Sequence, residues 1–156
     1  MSASNQEEQK NCHETSFIDE YPGLMNESDK TLLDLGIGKG PLVLPLCKKG
    51  WTITGYDRDA ESVAYLRGHG VNAKQQDLNR LNYREGLVSD LKNTTNVVMI
   101  NLAPFLEEPA LAYLLFNLMD HAQSNTVFLF VNAFLPKVKS PEECRKVLAL
   151  SLIHIS

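Results

Sequence analysis

No apolar run in the chain reaches membrane-spanning length. The longest, from Thr126 to Ala133, is interrupted by Asn132 and reads as a buried strand. The opening MSASNQEEQK has no apolar core, so neither a secretory signal nor a membrane anchor is expected. A basic stripe is also missing: Lys48, Lys49, Arg80 and Arg84 are scattered, and the formal charge is −4. Binding to nucleic acid usually rests on such a stripe, so no nucleic-acid partner is expected and small or neutral substrates come first. The three cysteines, Cys12, Cys47 and Cys144, are odd in number and have no paired spacing. They imply neither a disulfide framework nor a zinc site, and a reducing cytoplasm is the simplest compartment.

What is present is the make-up of an ordinary globular domain, 44% apolar and 22% charged over 156 residues, enough for one domain and no second. Residues 1–28 read as a polar tail. From Thr31 short apolar runs alternate with amphipathic stretches. Thr31–Leu35 is a strand, and Pro41–Lys49 a helix with Pro41 in its first turn and Gly50 as its stop. Thr52–Tyr56 is β-branched and aromatic, hence a second strand. Asp59 can cap a helix carrying Val63, Ala64 and Leu66 towards Gly68 and Gly70. Val71–Gln75 is a weaker strand, Leu81–Thr95 is ambiguous, and Val97–Asn101 is a strand. A helix over Pro109–Ala122 bears Leu111, Leu114, Leu115, Leu118 and Met119, and Asn125–Val131 closes the series as a strand. Such alternation implies an α/β fold, a parallel sheet with helices on both faces.

The candidate site starts at Leu33-Asp34-Leu35-Gly36-Ile37-Gly38-Lys39-Gly40, where an apolar strand ends and a helix begins. Glycine lets the backbone turn sharply and lie against a ligand. In an open parallel sheet, ligands bind beyond the carboxyl ends of the strands. Asp57 follows the second strand, 21 positions beyond Gly36, where an acid can accept hydrogen bonds from ribose hydroxyls. The dinucleotide fingerprint G-x-G-x-x-G/A is not met, because Gly40 comes one residue early and Pro41 fills the third glycine's place. Asp34 would repel a pyrophosphate yet suit a ligand with an ammonium or sulfonium group. Those signs favour S-adenosyl-L-methionine over NAD.

With the D-L-G-I-G-K-G run, Asp57, and Gln76-Asp77-Leu78 after the third strand, residues 31–133 resemble the class I methyltransferases with their Rossmann-like sheet. The resemblance implies S-adenosyl-L-methionine as cofactor. Asp34, Leu35, Gly36, Gly38 and Gly40 would form the loop at its methionine part, and Asp57 would hold the ribose. Arg58 would flank the adenine, Asp77 would face its amino group, and Leu78 would present backbone to the ring. Asn101 would stand near the transferable methyl. Within the superfamily, GWTITGYDRDAESVAYL, VVMINLAPFLE and FLFVNAF look most like the tellurite-resistance methyltransferases. The expected reaction is methyl transfer to a small-molecule acceptor such as tellurite, selenite, a thiol or another metabolite.

The sheet of that superfamily has seven strands, and nothing after Pro136 supplies the sixth and seventh, so residues 29–149 read as a partial domain with little activity of its own. Leu150–Ser156, LSLIHIS, resembles the translation of a sequencing-library adaptor, which excludes His154 from the site. Three alternatives stay open. A nucleic-acid or protein amino-group methyltransferase would carry an N-P-P-Y-like tetrad, and Asn101-Leu102-Ala103-Pro104-Phe105 is one residue longer without the paired prolines. A non-catalytic nucleotide-binding domain is the second, and NAD-dependent reduction the third. Phe105 and Trp51 read as packing residues, and His69 and His121 as helix-end residues. No residue is nominated as catalytic, no metal is expected, and the sequence sets no oligomeric state.

Overall fold

The computed structural model describes residues 24–131. Five strands form one parallel sheet: β1 (Thr31–Leu35), β2 (Thr52–Asp57), β3 (Asn72–Gln75), β4 (Asn96–Ile100) and β5 (Val127–Val131). Their spatial order is β3-β2-β1-β4-β5. The chain therefore builds outward from β1 to one edge, returns to its other side, and continues to the opposite edge. The reversal lies between β1 and β4, where an open α/β sheet leaves a crevice at its carboxyl end.

The pleat sorts the apolar residues onto two faces. Leu32, Ile53, Ala73, Val98 and Leu129 pack on one side with Val43 and Leu46 of α1 (Val43–Lys48) and Val63 and Leu66 of α2 (Ala60–Arg67). Leu33, Leu35, Tyr56, Val97, Met99 and Phe130 pack on the other. There they meet Leu87 and Leu91 of α3 (Arg84–Lys92) and Leu114 and Leu118 of α4 (Glu108–His121). Both faces being covered, β1 and β4 are buried almost throughout, as a central parallel strand must be.

Local chemistry sets the ends of these elements. Asp59 caps α2, its carboxylate accepting from the Ser62 N–H at 3.1 Å and the Ser62 hydroxyl at 2.6 Å. Those bonds hold its carboxyl below the usual carboxylate range, the Ser62 hydroxyl contributing most. α1 is regular only from Val43, yet the Leu44 N–H donates to the Gly40 carbonyl at 3.0 Å, so a helical turn already closes over Pro41. The ambiguous stretch after Leu81 forms α3 because Leu87 and Leu91, one turn apart, are both fully buried. Met119 departs from expectation: it is 65% exposed, on the solvent side of α4.

Residues 24–28, expected to belong to the polar tail, are tied to the sheet. Asn96 is buried, and its side-chain amide donates to the Asn26 carbonyl at 2.7 Å and accepts from the Asn26 N–H at 2.7 Å. Met25 packs against the core beside them. The rest of the tail, Cys12, Cys144, the stretch after Pro136 in which a sixth and seventh strand were sought, and the adaptor-like 150–156 lie outside the described residues. No helix among the described residues is long and apolar enough to cross a membrane.

Candidate functional site

A cavity of about 610 Å³ opens at the carboxyl end of the sheet, over the point where strand order reverses. Its floor is the loop between β1 and α1. The Gly36 and Ile37 N–H groups donate to the Tyr56 carbonyl at 2.8 and 3.1 Å, which seats the loop on the end of β2. Gly36, Gly38 and Gly40 have φ of +76°, +57° and +69°, values that side-chain-bearing residues rarely adopt. Ile37, between the first two, lies directly on Gly55 of β2. A Cβ on Gly55 would fall 2.4 Å from Ile37 Cδ1, so this approach requires glycine.

Asp57 ends β2 and joins the two halves of the cavity. Its Oδ2 accepts from the Gly38 N–H at 2.8 Å and its Oδ1 from the Asp59 N–H at 2.9 Å. A carboxylate has about four acceptor positions, so each oxygen keeps one for a ligand hydroxyl. Asp34 is only 4% exposed and lines the cavity beneath the loop. Asp77 lines the wall beyond β3, with the Asn79 N–H donating to its Oδ1 at 3.0 Å, and buried Leu78 follows it. Arg58 is exposed at the rim. Asn101 bounds the β4 side. Its φ is +54°, an orientation for which Asn is favoured among non-glycine residues, and its N–H donates to the Val131 carbonyl at 2.7 Å.

Asp34, Gly36, Gly38, Asp57, Arg58, Asp77, Leu78 and Asn101 thus line one cavity, whereas Leu35 and Gly40 do not. The reasons are geometric. Strand alternation turns the Leu35 side chain to the opposite face of the sheet, where it is fully buried against α3 and α4. Gly40 is a packing position, since a Cβ there would fall 2.6 Å from Leu66 Cδ2 and 3.0 Å from Val43 Cγ2. Phe105, expected between helix and sheet, is 58% exposed and lines the cavity. Trp51 is packed in the core, 6% exposed.

Sequence reasoning passed over Lys39, Tyr65, Asn79, Leu102 and Leu106, all of which line the cavity. Tyr65 carried a signal, being on α2 three residues beyond Ser62 and so on the same face; the others are gathered by the fold. The lining holds three carboxylates (Asp34, Asp57 and Asp77) against two cations, Lys39 and Arg58. That excess suits a ligand bearing positive charge near the loop, beneath which Asp34 is buried. Among the described residues no group of three or more His, Cys, Asp or Glu side chains could hold a metal ion.

No protein-family model matches the chain, and no curated protein does either. Solved structures do match. A S-adenosylmethionine-dependent methyltransferase from Archaeoglobus fulgidus aligns with a TM-score of 0.62 at 18% identity, over 97% of this chain and 74% of its own. The glycopeptide N-methyltransferase MtfA, in complex with S-adenosylmethionine, aligns at 0.61 and 19%, over 81% of this chain and 57% of its own. TehB from Haemophilus influenzae aligns at 0.59 and 21%, over 85% of this chain and 49% of its own. The fold is that of the class I methyltransferases. The chain spans little more than half the length of MtfA and about half that of TehB.

Proposed function

We propose that the cavity binds S-adenosyl-L-methionine and that the chain is the cofactor-binding part of a methyltransferase acting on a small-molecule acceptor. One observation carries this reading: a buried carboxylate under a glycine loop and a second carboxylate bonded to that loop line the same cavity at the strand-order reversal. The cavity's size falls within the roughly 300–1,000 Å³ of small-ligand sites. The fit to the cofactor is chemical as well. Asp57 has acceptor positions left for two ribose hydroxyls, Asp34 offers negative charge for an ammonium, and Leu78 offers an apolar edge for adenine.

In this reading each residue binds or orients. Gly36 and Gly38 let the backbone lie against the methionine part, Asp57 fixes the ribose, and Arg58 and Asp77 frame the adenine. When bound, the cofactor supplies an activated methyl group on a sulfonium. The protein's task is then to exclude water and align an acceptor lone pair, a contribution from proximity that needs no dedicated base. Asn101, which follows β4 and lines the cavity, is the candidate in this reading for orienting the acceptor through its amide.

Among acceptors, tellurite, selenite, a thiol or another soft metabolite follow from the resemblance to the tellurite-resistance enzymes, and TehB is among the matching structures. A cytoplasmic site of action accords with cysteines that have no paired spacing. The test is transfer of labelled methyl from S-adenosyl-L-methionine to a panel of tellurite, selenite, small thiols and amines. Label appearing in one acceptor class supports the reading. Binding of cofactor with no transfer to any acceptor favours the non-catalytic alternative.

A further inference from the structure

Asn79 holds two walls of the cavity together. Its Nδ2 donates to the Phe105 carbonyl at 3.1 Å, and its Oδ1 accepts from the Glu107 N–H at 2.8 Å. Between these partners Leu106 is extended, with φ −98° and ψ 139°. In an extended chain the carbonyl before a residue and the N–H after it point the same way, as one strand presents them to another. A primary amide offers the complementary donor and acceptor. Asn79 therefore docks onto this segment as a neighbouring strand's residue would with its own N–H and C=O.

The main chain of Asn79 is fixed in turn by Asp77, whose Oδ1 accepts from the Asn79 N–H at 3.0 Å and whose carbonyl accepts from the Arg80 N–H at 3.0 Å. Asp77, Leu78 and Asn79 line the wall beyond β3. Asn101, Leu102, Phe105 and Leu106 line the wall beyond β4, which is separated from β3 by β2 and β1. Beneath, Leu78 shares its core cluster with Leu102 and Leu106. The two walls thus meet through one apolar contact layer and one amide.

We propose that Asn79 is a positioning residue: by joining the turn after β3 to the strap 101–107, it makes a ligand held at Asp77 and Leu78 set the wall past which the methyl acceptor enters. This rests on the cofactor reading above. The two bonds are solvent-exposed, so water competes for them and the strap can respond to what occupies the cavity.

The test is 15N spectroscopy of the whole 156-residue chain titrated with S-adenosylhomocysteine, in the native sequence and in Asn79→Ala and Asn79→Asp. In the native chain the amides of Gly38, Leu106 and Glu107 are expected to shift with one common dissociation constant. In Asn79→Ala the Gly38 shift should persist, with a constant free to change because Asn79 lines the same cavity, while the Leu106 and Glu107 shifts disappear. Asn79→Asp keeps the acceptor for Glu107 but loses the donor to Phe105, so the Glu107 shift should survive and that of Leu106 should fall; it decides the matter if the alanine variant does not fold. Strap shifts unchanged in both variants, or a native Gly38 shift with a silent strap, would overturn the coupling. A folded native chain silent at Gly38 as well would remove the cofactor reading and this inference with it.

Discussion

Replacing Gly55 by alanine tests how closely the fold and the cavity are joined. The new methyl would sit 2.4 Å from Ile37 Cδ1, 3.0 Å from its Cγ2 and 3.1 Å from its Cβ. The first of these contacts lies far inside van der Waals range, and Ile37 is 4% exposed with the α1 and α2 core around it. Overpacking of this kind costs about 1–3 kcal/mol. The loop gives before the strand does, because Gly55 is held by register to Asp34 on one side and Ala73 on the other. Displacing Ile37 moves Gly36 and Gly38, so Gly55→Ala should lose both stability and affinity for S-adenosylhomocysteine. Ile37→Val removes only the Cδ1 methyl and by itself costs about 0.5–1.5 kcal/mol. In that background the alanine meets its worst neighbour no longer. The double variant should therefore be more stable than the sum of the single losses predicts, by a coupling of at least about 0.5 kcal/mol. Urea unfolding of the four proteins measures this directly. Strict additivity would refute the packing argument.

Three further outcomes follow from the side chains around the sheet. The Tyr56 hydroxyl donates to Asp90, which also accepts from Lys74 Nζ at 2.8 and 3.0 Å, and burial first and that bond second push the phenol upward. Removing a hydrogen bond to a charged group typically costs about 1.5–3 kcal/mol, so Tyr56→Phe should be destabilised at pH 7 by unfolding titration. A raised folded value means stability present below the ordinary phenol value of 10.0 and lost as pH climbs through the higher one; the variant should lose the Tyr56 part of that alkaline limb. Tyr83 is the contrast: its hydroxyl is buried without a hydrogen-bond partner among the described residues, so Tyr83→Phe should be neutral or stabilising in the same experiment. At the acid end, the cap at Asp59 is fully effective above the ordinary 3.8 and fades as pH falls through its lowered value. Asp59→Ala should therefore weaken the protein at pH 7, with the difference from the native chain shrinking below pH 3.8.

The sheet was legible because its signals are local. β1 is a leucine-rich run broken only by Asp34 and followed by a glycine, and β2 and β5 are rich in β-branched or aromatic residues, so their positions follow from the residues themselves. Asp59 as a cap is equally local. α3 was obscure because only Leu87 and Leu91 give it an apolar face, and their weight comes from α4 packing over them. Around the cavity, acidic residues at strand ends could be named from spacing. Leu35 and Gly40 could not be separated from their neighbours by motif alone: pleat direction removes the first, and the approach of Leu66 removes the second. Phe105 and Asn79 were missed for a shared reason. They are 26 residues apart and acquire their places only when the loops after β3 and β4 meet.

Calorimetric titration with S-adenosylhomocysteine, beside NADH and an Asp57→Ala variant, tests the central claim most directly. Circular dichroism first establishes that both chains are folded. Asp57 alone bonds both the Gly38 and Asp59 amides and offers its remaining acceptor positions to the ribose, so its loss removes several charge-assisted contacts. Saturable binding by the native chain, none of NADH, and at least about tenfold weaker binding by Asp57→Ala are expected. A folded native chain that binds NADH, or that fails to bind S-adenosylhomocysteine, would contradict it.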